Sequence, residues 1–266
     1  MGNEKPIGIF DSGIGGLSVF SELIKLIPGE NYIYFGDTLN LPYGNKTKDE
    51  LIRITKNIFD FFESKKVKAV VMACNTTSAV TYGYLKDKYE FKIYPVVQSV
   101  SKSIADKNYN RVGVFATAAT INSHAYKKEI NIYNPKTSVF EIACPEWVNI
   151  VENQLQNEEE SINNIRKHLN EMLPNNVEKI ILGCTHYPYL MNILSKYADS
   201  SLFINPAKAF SEYIVSDLKR DNLVNNKRTC EPKFYVSSNP EHFKSASGLF
   251  YKINDVEEIS PEKVLY

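Results

Sequence analysis

Two cysteines lie in stretches that repeat one pattern. Val70-Val-Met-Ala-Cys-Asn-Thr-Thr77 and Ile180-Ile-Leu-Gly-Cys-Thr-His-Tyr187 each run from apolar, strand-type residues through a small residue to a cysteine. Side chains that cap helices or donate hydrogen bonds follow in both. In a parallel α/β sheet such a run ends at the carboxyl edge, where ligands bind. An unperturbed thiol titrates at about 8.5, so of two thiols near neutral pH one can act as base while the other acts as acid. Cys74 and Cys184, placed on opposite sides of one small molecule, could take a proton from one face of a carbon and return one to the other.

The neighbouring residues fit this chemistry but admit plainer roles. A buried cysteine is ordinarily a small core residue, and Cys144 and Cys230 are read that way. Asn75, Thr76, Thr77 and Ser78 can satisfy the free N–H groups of a first helical turn. The same helix start would lower a thiol pKa and could hold a carboxylate. Asp11 ends an apolar run and reads as a turn or N-cap aspartate, a group tuning Cys74, or the holder of a substrate ammonium. His186 stands two residues after Cys184, so in extended chain both face one side. It reads as a packed histidine, a helix-start residue, a tuner of Cys184, or half of a Cys/His nucleophile pair, which leaves a covalent hydrolase open. Cys184 and His186 supply only two metal ligands and no Cys-x-x-Cys pair is present, so no metal site is expected.

The elements that would position these groups alternate between strand and helix. Lys5 to Phe10 reads as a strand that enters the turn Asp11-Ser-Gly-Ile-Gly-Gly16, with a helix following from Leu17 to Ile27. The glycine spacing is not that of a dinucleotide fingerprint, and no P-loop lysine follows. Further strands are expected over Asn31–Phe35, Val67–Met72 and Lys92–Val97. Helices are expected from Lys48 to Ser64, from Asn75 to about Tyr89, and from Ser99 to Asp106. Gly36 to Gly44 forms a loop longer than a tight strand-to-helix connection, which suits a substrate lining. Arg111-Val-Gly-Val-Phe-Ala-Thr117 restarts the pattern. Val112-Gly-Val-Phe follows Ile7-Gly-Ile-Phe by 105 residues, and Cys184 follows Cys74 by 110. Two such similar offsets point to two related α/β halves, with Ala116 in the place of Asp11. In the second half, helices are expected over Asn122–Ile130, Asn157–Leu173 and Ala207–Lys219. Strands are expected at Ser138–Ala143, Lys179–Leu182 and Leu202–Asn205, and Phe234–Val236 is read as the last strand.

Composition narrows the partners. The 266 residues are 43% hydrophobic, and 31 basic side chains balance 31 acidic ones. That is enough apolar mass for one large domain or two smaller ones, and no net field draws nucleic acid or an anionic membrane. No apolar run approaches the length of a membrane span, and no secretory signal is apparent. The four cysteines therefore read as thiols in a reducing cytoplasm.

Taken in order, several segments resemble glutamate racemases of the cofactor-independent aspartate/glutamate racemase superfamily. They are Asp11-Ser-Gly-Ile-Gly-Gly-Leu-Ser18, Gly36-Asp-Thr38 with Pro42-Tyr-Gly44, Ala73-Cys-Asn-Thr76, Ala143-Cys-Pro145 and Gly183-Cys-Thr-His-Tyr-Pro188. A weaker match continues through Phe234-Tyr-Val236 and Asn239-Pro-Glu-His-Phe243. The resemblance implies that Cys74 and Cys184 are the acid/base thiols. It places Asp11, Ser12, Pro42, Tyr43, Gly44, Asn75, Thr76, Thr117, Thr185 and His186 at positions that bind substrate or assist, and Glu152 near the second thiol. It further implies two pseudo-symmetric parallel-sheet α/β domains, residues 1–97 plus 208–266 and residues 98–207, with the site in the cleft between them. No cofactor is implied; the implied product is D-glutamate for peptidoglycan, and the implied assembly a homodimer. An aspartate or related amino-acid racemase, and a binding protein with vestigial activity, are the alternatives. Leu41 and the pair Glu146-Trp147 depart from the family pattern. An inward Glu146 would alter the charge near Glu152, and an outward one would change nothing.

Overall fold

The computed structural model describes residues 4–248 and 250–260. The chain alternates β1 (Ile7–Asp11), α1 (Leu17–Leu26), β2 (Tyr32–Gly36), α2 (Lys48–Ser64), β3 (Ala69–Met72), α3 (Asn75–Leu85), β4 (Lys92–Pro95) and α4 (Val96–Ala105). A second series follows with β5 (Arg111–Ala116), α5 (Ala118–Ser123), α6 (Ala125–Tyr133), β6 (Ser138–Ala143), α7 (Glu146–Glu152), α8 (Glu159–Met172), β7 (Lys179–Gly183), α9 (Met191–Leu194) and β8 (Phe203–Ile204). The chain closes with α10 (Pro206–Arg220), β9 (Lys233–Val236), α11 (Pro240–Ser247) and β10 (Glu257–Glu258).

The strands form two sheets, both wholly parallel. One has the order β10-β9-β2-β1-β3-β4 and the other β6-β5-β7-β8. The run β2-β1-β3-β4 is thus repeated, strand for strand, as β6-β5-β7-β8. The register repeats too, since Ile7 lies opposite Ala69 as Val112 lies opposite Lys179. Both thiol-bearing strands, β3 and β7, therefore flank the first strand of their half on the same side. The offsets near 105 and 110 residues are the linear trace of this repeat.

Parallel strands covered on both faces need continuous apolar runs. β1, β2 and β3 are buried at every position. The helices are fixed by local signals: α2 opens on a capping box in which Thr47 and Glu50 bond each other's backbone N–H, and buries Leu51, Ile54, Ile58, Phe61 and Phe62 along one face. One apolar cluster joins the sheets, running from Ile9, Phe20 and Tyr34 through Val97, Val100 and Phe210 to Val114, Tyr126 and Ile181. The two halves therefore share a core as well as a site.

Several local expectations change. The strand expected to Val97 ends at Pro95, because the Val97 N–H is donated to Ser78 Oγ at 3.0 Å and opens α4 at once. The helix expected over Asn122–Ile130 is two helices, α5 and α6, divided at His124 with φ 54°. The stretch after Cys144-Pro145 forms α7, which buries Trp147, Val148, Ile150 and Val151. Phe234–Val236 is not the last strand: β10 pairs with β9 at the sheet edge. Two exposed glutamates carry no apolar signal that would reveal such a strand.

Candidate active site

The strands deliver their functional residues at the carboxyl ends of β1, β3 and β7. Asp11 ends β1, Cys74 follows β3 as the N-cap residue of α3, and Cys184 follows β7. Asp11 is fully buried, and Cys74 and Cys184 are 5% and 7% exposed. The charge of Cys184 is among the influences that raise the Cys74 thiol. Glycines allow the halves to meet there. A Cβ on Gly15 would stand 2.4 Å from Thr185 Oγ1, and one on Gly44 would stand 2.9 Å from Thr117 Cβ. Both contacts cross from the first half to the second.

Cys184 heads a chain of three titratable groups. Its Sγ lies 3.7 Å from His186 Nδ1, and His186 Nε2 lies 2.5 Å from Glu152 Oε1. Burial alone would lower the His186 pKa, but the bonds and charges of Cys184 and Glu152 outweigh it and hold the imidazole well above its ordinary value. Burial would raise Glu152, yet its bond to His186 and the charges of His186 and His242 leave it lowered. The pair is therefore an imidazolium–carboxylate ion pair that presents a cation to Cys184.

Cys74 meets the opposite environment. Burial first, then the Asp11 charge, pushes its thiol up to about 12, against the N–H and hydroxyl of Thr77, which favour the thiolate. The expectation that the helix start would lower this thiol is thus corrected: desolvation outweighs the first-turn N–H groups. Burial also raises Asp11, against the opposing effects of His186, the Gly13 N–H and the Thr185 hydroxyl.

Hydrogen bonds across the halves fix the remaining side chains. Thr185 Oγ1 donates to Asp11 Oδ2 at 3.1 Å, and Thr76 Oγ1 and Thr117 Oγ1 pair at 2.9 Å. Tyr43 is buried and donates its hydroxyl to Asp37 Oδ2 at 2.6 Å, which fixes the Pro42-Tyr43-Gly44 turn over the site. Ser12 is buried next to Asp11 in the chain. Pro42 lies farther out, in the wall of a cavity of about 520 Å³ with Leu41, Asn45, Val148, Glu152, Ser238 and His242. Asn75, Cys184 and Thr185 line a separate space of only about 10 Å³. Both thiols are buried, and Glu152 lines the larger cavity.

Cys144 is buried among core residues, whereas Cys230, expected in the core, is exposed, with its thiol directed to Asn31 Oδ1 at 3.5 Å. Glu146 points to solvent. Trp147 is fully buried, with its ring N–H donated to Asn164 Oδ1 at 3.1 Å. Among the described residues, no group of three His, Cys, Asp or Glu side chains is placed to hold a metal ion, and no helix is long and apolar enough to cross a membrane.

A family model described as Asp/Glu/hydantoin racemase matches residues 7–213. The chain belongs to the Asp/Glu/hydantoin racemase family. Within it, glutamate racemase 1 of Caldanaerobacter subterraneus is 37% identical over 96% of this chain and 95% of its own length. A glutamate racemase of Thermoanaerobacter pseudethanolicus is 36% identical over 98% and 99%. The crystal structure of glutamate racemase from Francisella tularensis in complex with D-glutamate superposes with a TM-score of 0.91, at 32% identity, covering 98% of this chain and 99% of that one. The Picrophilus torridus aspartate racemase, 15% identical with a TM-score of 0.58, shares the fold.

In this racemase-family chain four further residues join the site that the sequence reading gave no role. Asp37 bonds Tyr43, Tyr126 donates to Asn75 Oδ1 at 2.6 Å, and Ser238 and His242 wall the outer cavity. The Gly36-Asp-Thr38 turn was a visible sign of the first. The segment Asn239 to Phe243 carries a weak sign of His242, and Ser238 lies outside it. Tyr126, in a helical stretch of mixed residues, carried none.

Proposed function

We propose that the protein is a glutamate racemase that interconverts L- and D-glutamate by a two-thiol acid/base mechanism without a cofactor. The observation that carries this reading is the pair of buried cysteines at the carboxyl ends of equivalent strands of the two halves. Racemisation needs one base and one acid on opposite faces of the α-carbon. Cys74, with its thiol pushed up to about 12, holds its proton and suits the acid role. Cys184 faces a protonated imidazole at 3.7 Å, a cationic partner for a sulfur acting as base. With the other enantiomer the roles exchange.

Asn75, Thr76, Thr117, Thr185 and the backbone of the Tyr43-Gly44 turn supply donors for the substrate carboxylates, and Asp11 a partner for its ammonium. Negative charge developing on the α-carbon is stabilised by these fixed donors in a site shut from water. We assign the first domain to residues 1–97 plus 208–266 and the second to residues 98–207, with D-glutamate supplied for peptidoglycan by a cytoplasmic homodimer. Purified protein given L- or D-glutamate in deuterated buffer, with no added cofactor, should bring both to the racemate and label the α-carbon. Aspartate run in parallel measures the strictness for side-chain length. Absence of both inversion and exchange with glutamate refutes the proposal.

A further inference from the structure

The residue after each thiol is tethered by the opposite half. Thr185, after Cys184, is bonded to Asp11 of the first half. Asn75, after Cys74, accepts the hydroxyl of Tyr126 from α6 of the second half at 2.6 Å. Asn75 and Tyr126 are 3% and 0% exposed, so this bond is shielded from water. It uses the carbonyl oxygen of the Asn75 amide, and a tyrosine hydroxyl is its natural donor. The two Nδ2 hydrogens are thereby turned away from Tyr126, and they have no protein acceptor among the described residues. Asn75 also lines the small inner space shared by Cys184 and Thr185. Nδ2 is not among the fully buried unpartnered atoms, so the amide donors open onto accessible space where a ligand can meet them.

We infer that Tyr126 is a positioning residue for substrate binding, locking the Asn75 amide so that its NH2 faces the substrate carboxylate. Tyr126 touches no reacting atom. It acts through Asn75, and because it comes from the other half, the lock closes only when the halves are docked. The inference rests on the racemase reading and deepens it by naming what orients one anion-binding group.

The test is steady-state racemisation of both glutamate enantiomers by Tyr126→Phe in the full chain, followed by circular dichroism. Loss of one orienting hydrogen bond should raise KM by about 5- to 20-fold for both enantiomers and leave kcat within about threefold. In an Asn75→Ala background the same substitution should change KM by less than about twofold, because the group it orients is gone. A wild-type KM in Tyr126→Phe, or an equal penalty in the Asn75→Ala background, overturns the inference. Should Tyr126→Phe fail to fold, Asn75→Asp serves: it keeps the acceptor for Tyr126 but replaces the donors with a carboxylate, and KM should rise at least about 50-fold in the folded variant. An unchanged KM there overturns the inference as well. Wild-type turnover separates the two readings, since its absence refutes the racemase function, whereas normal turnover with an unaffected variant refutes only the role of Tyr126.

Discussion

Glu152→Gln tests whether His186 carries the charge that the second thiol needs. The substitution keeps the shape of the side chain and an acceptor oxygen near Nε2, but removes the carboxylate charge 2.5 Å from the ring. Glu152 is 16% exposed at its side chain and His186 1%, so solvent screens the pair little. A hydrogen bond to a charged group at such a site contributes about 1.5–3 kcal/mol. For a chain of this length about 1 kcal/mol moves Tm by roughly 2 °C, so the variant should melt about 3–6 °C lower. The pH dependence fixes the charge state. Glu152 is lowered from about 4.5, so its contribution is complete above that pH and fades as pH falls toward the lowered value. His186 is raised above about 6.5, so its contribution is complete below that pH and fades as pH rises toward the raised value. The Tm difference between wild type and variant should therefore be largest between about pH 4.5 and 6.5 and shrink on both sides. Calorimetric scans of both proteins from pH 4 to 9 measure it. A difference that stays flat, or grows above pH 7, would mean a neutral imidazole and refute the account of Cys184.

Other substitutions probe the remaining parts. Cys74→Ser and Cys184→Ser should each lower racemisation in both directions by at least about 100-fold, because a hydroxyl is far too weak an acid to replace the thiol; near-wild-type turnover in either variant removes that sulfur from the mechanism. Gly15→Ala drives a methyl to 2.4 Å from Thr185 Oγ1. It should cost about 1–3 kcal/mol and lower kcat/KM, and a variant with unchanged Tm and activity contradicts the close packing of the halves. Trp147→Ala should destabilise by about 3–5 kcal/mol in denaturant unfolding, given a fully buried indole packed on Phe115 and Tyr187. Glu146→Gln, at a solvent-facing side chain, should leave kcat within about twofold; a larger change would place that charge in the site after all.

The parts of the molecule that were legible beforehand are those written as periodic local signals. The apolar runs that end at Cys74 and Cys184 announce buried parallel strands, and the repeat from Ile7 to Val112 announces the doubled sheet. What escaped depends on partners distant in the chain. Tyr126 and Asn75 are 51 residues apart, and nothing around either residue reveals the other. The helix α7 hides behind Cys144-Pro145 because its seven residues span too few turns to establish a period. The raised pKa of Cys74 is hidden from the sequence for the same reason. A helix start is a local feature, whereas the burial that outweighs it is the combined work of both halves.

The repeat also explains why its exceptions matter. The two thiols sit on matching strands of matching sheets, so a strict repeat would give them matching surroundings and no division of labour. The departures supply the difference. Asp11 has Ala116 as its counterpart, and His186, two residues after Cys184, has Thr76 in the same place after Cys74. One thiol thereby gains a carboxyl neighbour that, after burial, raises it further, while the other gains an imidazole raised by its bond to Glu152. A proton relay across one carbon needs its two ends in opposite protonation states at the start of each turnover. Repetition places the sulfurs on equivalent strands, the unrepeated residues give them unlike neighbours, and a racemase that runs both ways must start from either sulfur in the charged form, one for each enantiomer.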